Sequence, residues 1–327
     1  MKKGRIVSGM RPTGKIHLGH LHGALFNWKS LQESYECFYF IADWHALTSE
    51  YADPDIIRRT TLDIIVDWIS VGLDPEVCTF FVQSTIKEHA ELHLLYSMIT
   101  PLAWLERNPT YKEQLREMTQ RDLTTYGFLG YPVLQAADIL MYKANGVPVG
   151  EDQAPHVELT REIARRFNHL YGDVFPEPAT LLTPTSKILG IDRRKMSKSY
   201  GNAIFLSDAP EEVDRKVSRM ITDPNRARKT DPGDPQVCNV FSFHEIYSGS
   251  ELVEECARKC RAAEIGCVDC KKLMAESLKK GLEPVWERRR ELLSDMNKVK
   301  EVVDAGNDRA RSIAQETMKE VREAMKI

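Results

Sequence analysis

The chain has 327 residues, 42% hydrophobic and 28% charged, which is the composition of an ordinary soluble globular protein. Its net charge of -3 at pH 7 excludes a global attraction to nucleic acid, although a local basic patch would still bind one. The sequence contains no run of about 18 apolar residues and no signal-peptide core. It therefore predicts a cytoplasmic protein with neither a membrane nor DNA as a partner.

Short apolar runs alternate with amphipathic stretches in the first part of the chain. Runs rich in aromatic and β-branched residues predict strands, and the stretches between them predict helices. The predicted strands span 5–9, 37–41, 78–83 and 146–150, and the predicted helices span 18–31, 53–71 and about 154–171. This alternation is typical of βαβ units, so we expect an α/β fold with a parallel sheet whose ligands bind beyond the carboxyl ends of its strands.

The pattern changes near residue 206. A polar, basic loop is expected from residue 184 to about residue 202, and from Ala209 onward the sequence is helical, with no convincing strand. The length of 327 residues is enough for two domains with separate cores. We therefore predict one domain over residues 1–206 and a helical domain over residues 207–327.

A pair of histidines follows the first predicted strand. His17 and His20 lie three positions apart at the expected start of a helix, where free N–H groups and the helix dipole favour an anion such as phosphate. Gly19 has no side chain, so a flat group such as adenine could approach its backbone. The alternatives are a capped helix with two surface histidines and, less favoured because no acidic or Cys partner is adjacent, a metal site.

A lysine-rich motif lies in the polar loop. Lys195-Met196-Ser197-Lys198-Ser199 could surround a triphosphate and supply positive charge where it builds up on a leaving pyrophosphate. A solvated basic loop is the alternative. The sequence has no G-x-x-x-x-G-K-[ST] motif, which excludes a standard P-loop enzyme.

A polar stripe interrupts an otherwise apolar helical segment. Tyr131, Gln135 and Asp138 occupy positions i, i+4 and i+7, and Pro132 is suited to a first helical turn. Polar groups on an apolar helix need partners, which a bound amino acid could provide. The alternative is a stripe that faces solvent.

Together, the two histidines and the lysine-rich motif resemble the HIGH and KMSKS signatures of class I aminoacyl-tRNA synthetases. The similarity extends to the tryptophanyl-tRNA synthetases and covers nearly the whole chain. The residues that carry it further are 131–140, 147–153, His156, 158–161 and 166–168. It implies a Rossmann-like activation domain over 1–206 and a helical anticodon-binding domain over 207–327.

The resemblance also implies the reaction and the partners. ATP, with Mg²⁺, would activate L-tryptophan as its adenylate, and the aminoacyl group would then pass to tRNA(Trp); the family also implies a homodimer. His17 and His20 would hold the phosphates, Lys195 and Lys198 would close over the pyrophosphate, and Lys112 would reach the phosphates. The positions that match ATP contacts are Arg11, Pro12, Thr13, Gly19, His20, Gly150, Glu151, Asp152, Ile191, Lys195, Met196, Ser197, Lys198 and Ser199.

For the amino acid, the resemblance implies that Asp138 accepts the indole N–H. Tyr131, Gln135 and Gln153 would hold the amino group, and His45 would lie near the substrate. Val7 stands where many tryptophan enzymes carry Phe.

Three rival functions remain open. Gln135 stands where many tryptophan enzymes carry Met, and Tyr-x3-Gln-x2-Asp is typical of the tyrosine enzymes. Tyrosine is therefore the close rival substrate. The more distant rivals are a small-molecule nucleotidyltransferase and a non-catalytic RNA-binding or iron–sulfur paralogue.

Seven cysteines in a chain expected to be cytoplasmic indicate thiols or metal ligands, not disulfides. Cys37 and Cys78 lie in apolar runs and are expected in the core, whereas five crowd into residues 238–270. The pair Cys267-x2-Cys270 is a common half-site for zinc or an iron–sulfur cluster.

The family resemblance implies a [4Fe–4S] cluster in some members. Here its ligands would be Cys238, Cys260, Cys267 and Cys270. A compact zinc site with Cys256 in place of Cys238 is the alternative, and unligated core thiols are a third. The candidate contacts to the tRNA backbone are Arg215, Lys216, Arg219, Arg226, Arg228, Lys229, Arg288, Arg289 and Arg290.

Overall fold

A computed structural model of the protein describes residues 2–109, 111–112, 124–183 and 188–327. The chain divides into two compact units, one formed by Met1–Gly14, Phe26–Thr185 and Asp295–Ile327 and the other by Lys15–Leu25 and Ser186–Ser294.

The first unit contains a parallel sheet of five strands in the order β3-β2-β1-β4-β5. The strands are β1 (Arg5–Met10), β2 (Glu36–Ile41), β3 (Cys78–Val82), β4 (Gly146–Val149) and β5 (Ala179–Leu182). The strand order reverses between β1 and β4, which pair through Ile6 and Gly146. Such a switch point opens a crevice at the carboxyl ends of the two strands.

Helices cover the sheet of the first unit. They are α2 (Phe26–Leu31), α3 (Asp43–Glu50), α4 (Asp55–Ser70), α5 (Glu88–Ile99), α6 (Leu102–Glu106), α7 (Tyr126–Met141), α8 (Ala154–Tyr171) and α13 (Met296–Met325). A single core of buried apolar side chains joins β1, β2 and β3 to α5, α7, α8 and α13.

The second unit is helical. It contains α1 (Leu18–His20) with the π-helical turn Leu21–Leu25, and then α9 (Pro210–Ser218), α10 (Asn239–Tyr247), α11 (Ser250–Arg261) and α12 (Cys267–Ser294). Both α9 and α10 pack against the long α12. Among the described residues, no helix combines the length and the apolar character needed to cross a lipid bilayer.

The structure confirms the predicted α/β fold with a parallel sheet, and helix α8 has the predicted bounds. Strand β5 was not predicted because its four residues, two exposed and two partly buried, lie at one edge of the sheet and carry no alternating pattern. The expected continuous helix 18–31 is divided by the π-helical turn. Pro132 lies inside α7 and not in its first turn, which Thr125 caps by accepting from Phe128 N at 3.2 Å.

The division into units differs from a single boundary near residue 206. Helix α13 belongs to the first unit because its apolar face packs against β3, α4, α5 and α7. Asn307 Oδ1 accepts from the backbone N of Val82 at 3.0 Å and from Thr85 Oγ1 at 2.9 Å. Lys15–Leu25 belongs to the second unit because its backbone pairs with residues that follow the lysine-rich motif: Leu18 N donates to Ile204 O at 3.0 Å, and Leu206 N donates to Ile16 O at 2.9 Å.

Helix α13 approaches β3 so closely that one position admits only glycine. A Cβ atom on Gly306 would lie 1.8 Å from the carbonyl oxygen of Phe80.

We expect Gly306→Ala to lower the free energy of unfolding by about 3 kcal/mol or more, the upper end of the usual cost of overpacking, because the backbone of α13 or β3 must move. Urea denaturation measures this. Gly127→Ala, on a helix with nothing within 4 Å of the added Cβ, is the control and should stabilise by at most about 1 kcal/mol. Equal stability of the two variants would contradict the packing described.

Candidate active site

The segments that follow β1 and β4 lie at the switch point of the sheet. After β1, Thr13 N donates to Arg11 O at 2.9 Å, and the hydroxyl of Thr60 donates to the carbonyl of Pro12 at 2.6 Å, which fixes this turn. After β4, residues 151–153 form a single 3₁₀ turn. Glu151 and Asp152 are exposed there and Gly150 is half-buried. Of the ATP positions expected after β1, Arg11 is exposed, Thr13 is half-buried and Pro12 is buried.

A hydrogen-bonded chain supports Tyr131 of α7. Asn108 Nδ2 donates to His156 Nδ1 at 3.1 Å, so the proton of a neutral His156 lies on Nε2 and is donated to the Tyr131 hydroxyl oxygen at 3.0 Å. Burial and the nearby His45 lower the pKa of His156 to about 4, which keeps this ring neutral. The neutral chain leaves the Tyr131 O–H proton available to another acceptor. Burial also raises the pKa of Tyr131, so it stays a hydroxyl.

Asp138 lies at the centre of a buried polar network. Its side chain is 0% exposed, and it accepts from His45 Nε2 at 2.7 Å, from His89 Nδ1 at 2.5 Å and from Gln83 Nε2 at 2.8 Å to each oxygen. Burial raises the pKa of Asp138, but the hydrogen bonds and charges of His45 and His89 outweigh it and lower the pKa to about 2. Tyr142 completes the network through a 2.7 Å bond to His89 Nε2. Asp138 is thus a buried carboxylate.

This network corrects part of the expected substrate pocket. A carboxylate has about four acceptor positions, and Gln83, His45 and His89 occupy those of Asp138. An indole N–H can therefore bind Asp138 only if one of these donors yields. Val7, at the position where many tryptophan enzymes carry Phe, is 0% exposed and lies in the apolar core.

Other expected substrate groups of the first unit are accessible. Gln135 and Gln153 are half-buried, and Gln153 Nε2 donates to Asp152 Oδ2 at 3.1 Å. Gln83 and His89 were missed by the sequence analysis. Gln83 directly follows β3, and polar groups beyond the carboxyl ends of parallel strands are candidate site residues, so its position could have been used to find it. No pattern in the sequence points to His89.

In the second unit, His17 and His20 cap each other. The backbone N–H of each residue donates to the Nδ1 of the other at 3.3 Å, and the two rings stack with centroids 3.7 Å apart. A nitrogen that accepts carries no proton, so each neutral ring has its proton on Nε2. Burial, and then the charge of Lys198, lower the pKa of His17 to about 4. The pKa of His20 is well below its usual value because of burial, His17 and Lys198.

Two neutral N–H donors on adjacent rings suit anionic oxygens. The rings cap each other, as in the alternative of a capped helix, but His17 is only 6% exposed and His20 is half-buried, so neither is a fully solvated surface histidine. Gly19 is needed because a Cβ there would lie 2.9 Å from the His17 ring. The ring of His17 occupies the space next to Gly19 that was expected to admit adenine.

The lysine-rich motif lies in the same unit as the histidines. Met196 is 5% exposed and its Cβ lies 3.5 Å from the Cβ position of Gly19, while Lys195 and Ser199 are exposed and Ser197, Lys198 and Ile191 are half-buried. Because Lys198 lowers the pKa of both histidines, its charge lies close to the rings. The structure therefore brings together two motifs that are far apart in the sequence. Lys112, in the first unit, is exposed.

Comparisons with known proteins agree with this geometry. Residues 1–283 match the family described as tRNA synthetases class I (W and Y). The tryptophan--tRNA ligase of Thermotoga maritima is 54% identical over 325 residues, which covers 99% of each chain. That of Aquifex aeolicus is 48% identical and covers 99% of this chain and 100% of the relative. The chain belongs to the tryptophanyl-tRNA synthetase family.

The solved structures extend this similarity to three dimensions. Tryptophanyl-tRNA synthetase from Campylobacter jejuni, crystallised with ADP and tryptophan, is 32% identical with a TM-score of 0.91 and covers 99% of this chain and 100% of that one. As a member of this family, the chain is an aminoacyl-tRNA ligase, and its Rossmann-like fold is that of the class I synthetases.

The cysteine-rich region of this synthetase contains a possible metal-binding group. The ligand atoms of His244, Cys256 and Cys270 all lie within 4.8 Å of one another. Arg226 Nη1 lies 3.7 Å from Cys260 Sγ and 3.9 Å from Cys267 Sγ. His244 was missed by the sequence analysis, although it lies between Cys238 and Cys256 within the cysteine-rich stretch. As expected, Cys37 and Cys78 are buried.

Several expected tRNA contacts are part of the synthetase's own structure. Lys216 Nζ pairs with Asp208 at 2.6 Å, Arg226 Nη2 donates to the carbonyls of Lys229 and Ile265, and Arg289 is buried. The exposed candidates are Arg215, Arg219, Arg228, Lys229, Arg288 and Arg290.

The histidine pair gives a prediction about pH. We expect the His17 imidazole to stay neutral, with its proton on Nε2, down to about pH 5, because its pKa is lowered to about 4. As pH falls from 6.5 towards 4, the unfolded chain gains a proton that the folded chain does not, so this residue's contribution to stability decreases. Long-range ¹H–¹⁵N spectra of selectively labelled protein check both statements, with the urea-unfolded chain as control. A folded-state titration near pH 6.5 would contradict the burial argument.

Proposed function

We infer that this chain is a tryptophan--tRNA ligase, which activates L-tryptophan with ATP and transfers it to tRNA(Trp). The observation that carries the inference is the pair of neutral Nε2–H donors of His17 and His20, close to Lys198 within one compact unit. The names of relatives up to 54% identical support the choice of amino acid.

The first step joins the amino acid to AMP. A carboxylate oxygen of tryptophan attacks the α-phosphorus of ATP, the bond to the β-phosphate oxygen breaks, and pyrophosphate leaves. Mg²⁺ bound to the phosphates would neutralise part of their charge. The Nε2–H groups of His17 and His20 donate to phosphate oxygens, and Lys195 and Lys198 neutralise charge on the leaving pyrophosphate. These neutral rings transfer no proton, so the histidines act by positioning and hydrogen bonding.

The second step transfers the aminoacyl group. The 2′-OH of the terminal adenosine attacks the adenylate carbonyl, an ester bond forms, and AMP leaves with the electron pair. Arg11, Pro12, Thr13, Gly150, Glu151, Asp152 and Ile191 are proposed to contact ATP, and Lys112 to reach its phosphates.

We propose that Tyr131, Gln135 and Gln153 hold the amino group of tryptophan. The Tyr131 hydroxyl is oriented by His156, and the two amide side chains are half-buried. Asp138 is proposed to accept the indole N–H. Because its acceptor positions are occupied, His45, the partner with some exposure, is the donor expected to yield.

The rival functions are less well supported. Tyrosyl-tRNA synthetases are among the structural neighbours, but the one from Archaeoglobus fulgidus is 23% identical and therefore supports the fold alone. A non-catalytic paralogue would be expected to have lost a histidine or a lysine of the two motifs, and all four are present. A cytoplasmic location, a homodimer and an anticodon-binding role for the helical segment after residue 206 stay predictions.

Amino-acid-dependent ATP–pyrophosphate exchange tests the assignment. We expect tryptophan to be activated at least about 10³-fold more efficiently than tyrosine or phenylalanine, because a site built to pair a polar donor rejects analogues that lack it. Asp138→Ala should abolish most of the preference over phenylalanine, and Asp138→Asn, which keeps the side-chain shape, is the control for packing. Faster activation of tyrosine by the unmutated enzyme would contradict the proposed substrate.

We further propose that the cysteine-rich region binds a metal, and that the group is a [4Fe–4S] cluster on Cys238, Cys260, Cys267 and Cys270. Burial raises the pKa of the Cys260 thiol, the charge of Arg226 lowers it, and Cys238 and Cys267 raise it. Arg226, Cys238 and Cys267 therefore all lie near Cys260. The Arg226 guanidinium beside two sulfurs suits thiolate ligands. This donor set fits a group that prefers thiolates.

A zinc ion bound by His244, Cys256 and Cys270 is the rival. His244 Nδ1 lies 2.8 Å from Ser248 Oγ, whose proton goes to Ser277 Oγ, and the proton of Ser277 goes to Leu273 O. His244 Nε2 lies 3.5 Å from Cys270 Sγ and 3.2 Å from the Cys270 carbonyl oxygen, an acceptor that requires a proton on Nε2. Nε2 would have to lose this contact and its proton to bind a metal. The two donor sets share Cys270, so one excludes the other.

Metal analysis of variants separates these sites. We expect anaerobically purified protein to be brown and to contain about four iron and four sulfide per chain. Cys238→Ser should lose the iron, whereas Cys256→Ser and His244→Ala should keep it. A colourless protein with one zinc that is lost in His244→Ala and kept in Cys238→Ser would establish the rival site instead. Because the ligands lie outside the ATP motifs, iron loss should reduce tRNA charging more than tryptophan activation.

A further inference from the structure

A buried asparagine organises the loop that carries the lysine-rich motif. Asn202 lies three residues beyond Ser199 and is 2% exposed. Its Oδ1 accepts from the backbone N of Ser197 at 2.8 Å, and its Nδ2 donates to the carbonyl of Lys195 at 3.1 Å. One side chain thus binds the backbone of the motif at two of its five residues.

The same side chain also fixes the start of the loop. Asn202 Nδ2 donates to Asp192 Oδ1 at 2.8 Å, and, from the main chain, the backbone carbonyl of Asn202 accepts from the backbone N of Ile191 at 2.9 Å. Gly190 packs against it so closely that a Cβ there would lie 2.2 Å from Nδ2. Two donors and one acceptor are used at once, and among side chains of this size only an amide supplies that combination.

The loop is held from outside by a second amide. Asn239, 3% exposed at the start of α10, donates from Nδ2 to the carbonyl of Gly190 at 2.9 Å. Asn239 therefore fixes the start of the loop at Gly190. Asn202 in turn contacts the loop between residues 192 and 198, the segment that carries both lysines.

We propose that Asn202 is a positioning residue for the adenylation reaction, which holds the backbone of Lys195 and Lys198 in the geometry that binds the pyrophosphate. This rests on the proposed function. Lysine side chains are flexible, so the place that their ammonium groups reach depends on a fixed backbone. Preorganised charge stabilises a transition state more than the same charge that must first be ordered.

A double-mutant cycle tests the proposal by pyrophosphate exchange at saturating tryptophan and ATP. We expect Asn202→Ala to lower kcat by about 10- to 100-fold, with little change in the tryptophan affinity measured by fluorescence. In a Lys195→Ala/Lys198→Ala background the same substitution should cost less than about threefold, because its effect acts through these two lysines. Asn225→Ala, an exposed asparagine in the same unit, is the matched control and should retain the rate.

Asn202→Asp keeps the Ser197 contact but cannot donate to Lys195 O or Asp192, so it should also lose rate while remaining folded. Thermal unfolding identifies a variant that fails to fold. Equal losses from Asn202→Ala with and without the two lysines, or a normal rate in a folded Asn202→Asp, would overturn the proposal. If Lys195→Ala itself exchanged at the normal rate, the proposed role of the lysines would fail, whatever Asn202 does.

Discussion

The nucleotide motifs of this synthetase depend on a short piece of backbone pairing. Ile16 and Leu18 exchange hydrogen bonds with Leu206 and Ile204, on either side of the bridge between His17 and Phe205. This pairing joins the histidine segment to the segment that follows the lysine-rich loop, in one compact unit. The reciprocal capping of His17 and His20 then fixes both tautomers. Without the pairing, nothing described here would hold these two motifs, which are remote in sequence, in one unit.

The proposed amino-acid site around Asp138 is governed by the energetic cost of burying a charge. A carboxylate without exposure needs donors at each of its acceptor positions, and Asp138 obtains them from Gln83, His45 and His89. The same bonds keep its pKa near 2, so the group remains an acceptor at every physiological pH. A tryptophan side chain that reaches Asp138 must exchange one hydrogen bond for another. Selectivity then depends on the network as a whole, and not on the aspartate alone.

The second unit combines two kinds of polar interior. One is the set of buried amides, Asn202 and Asn239, that shape the lysine-rich loop. The other is the group of cysteines and His244. Cys238 and Asn239 are adjacent in the chain at the start of α10, so the proposed metal-binding region and the base of the loop share one helix terminus.

The sequence by itself determined the parallel α/β fold, because alternating strands and helices form few other architectures. It also determined the family, because the two motifs and the matching residues between them occur together in it. It also located the polar stripe on α7, since helical spacing is local. Only the tertiary structure showed that Asp138 is fully occupied and that Val7 lies in the core, because Gln83, His89 and the neighbouring strands are remote in sequence. It likewise placed α13 with the sheet and Lys15–Leu25 with the lysine-rich loop. The amphipathic pattern of α13 predicts that its apolar face is buried, but not which surface buries it. That choice depends on contacts between residues remote in sequence, such as Gly306 with Phe80.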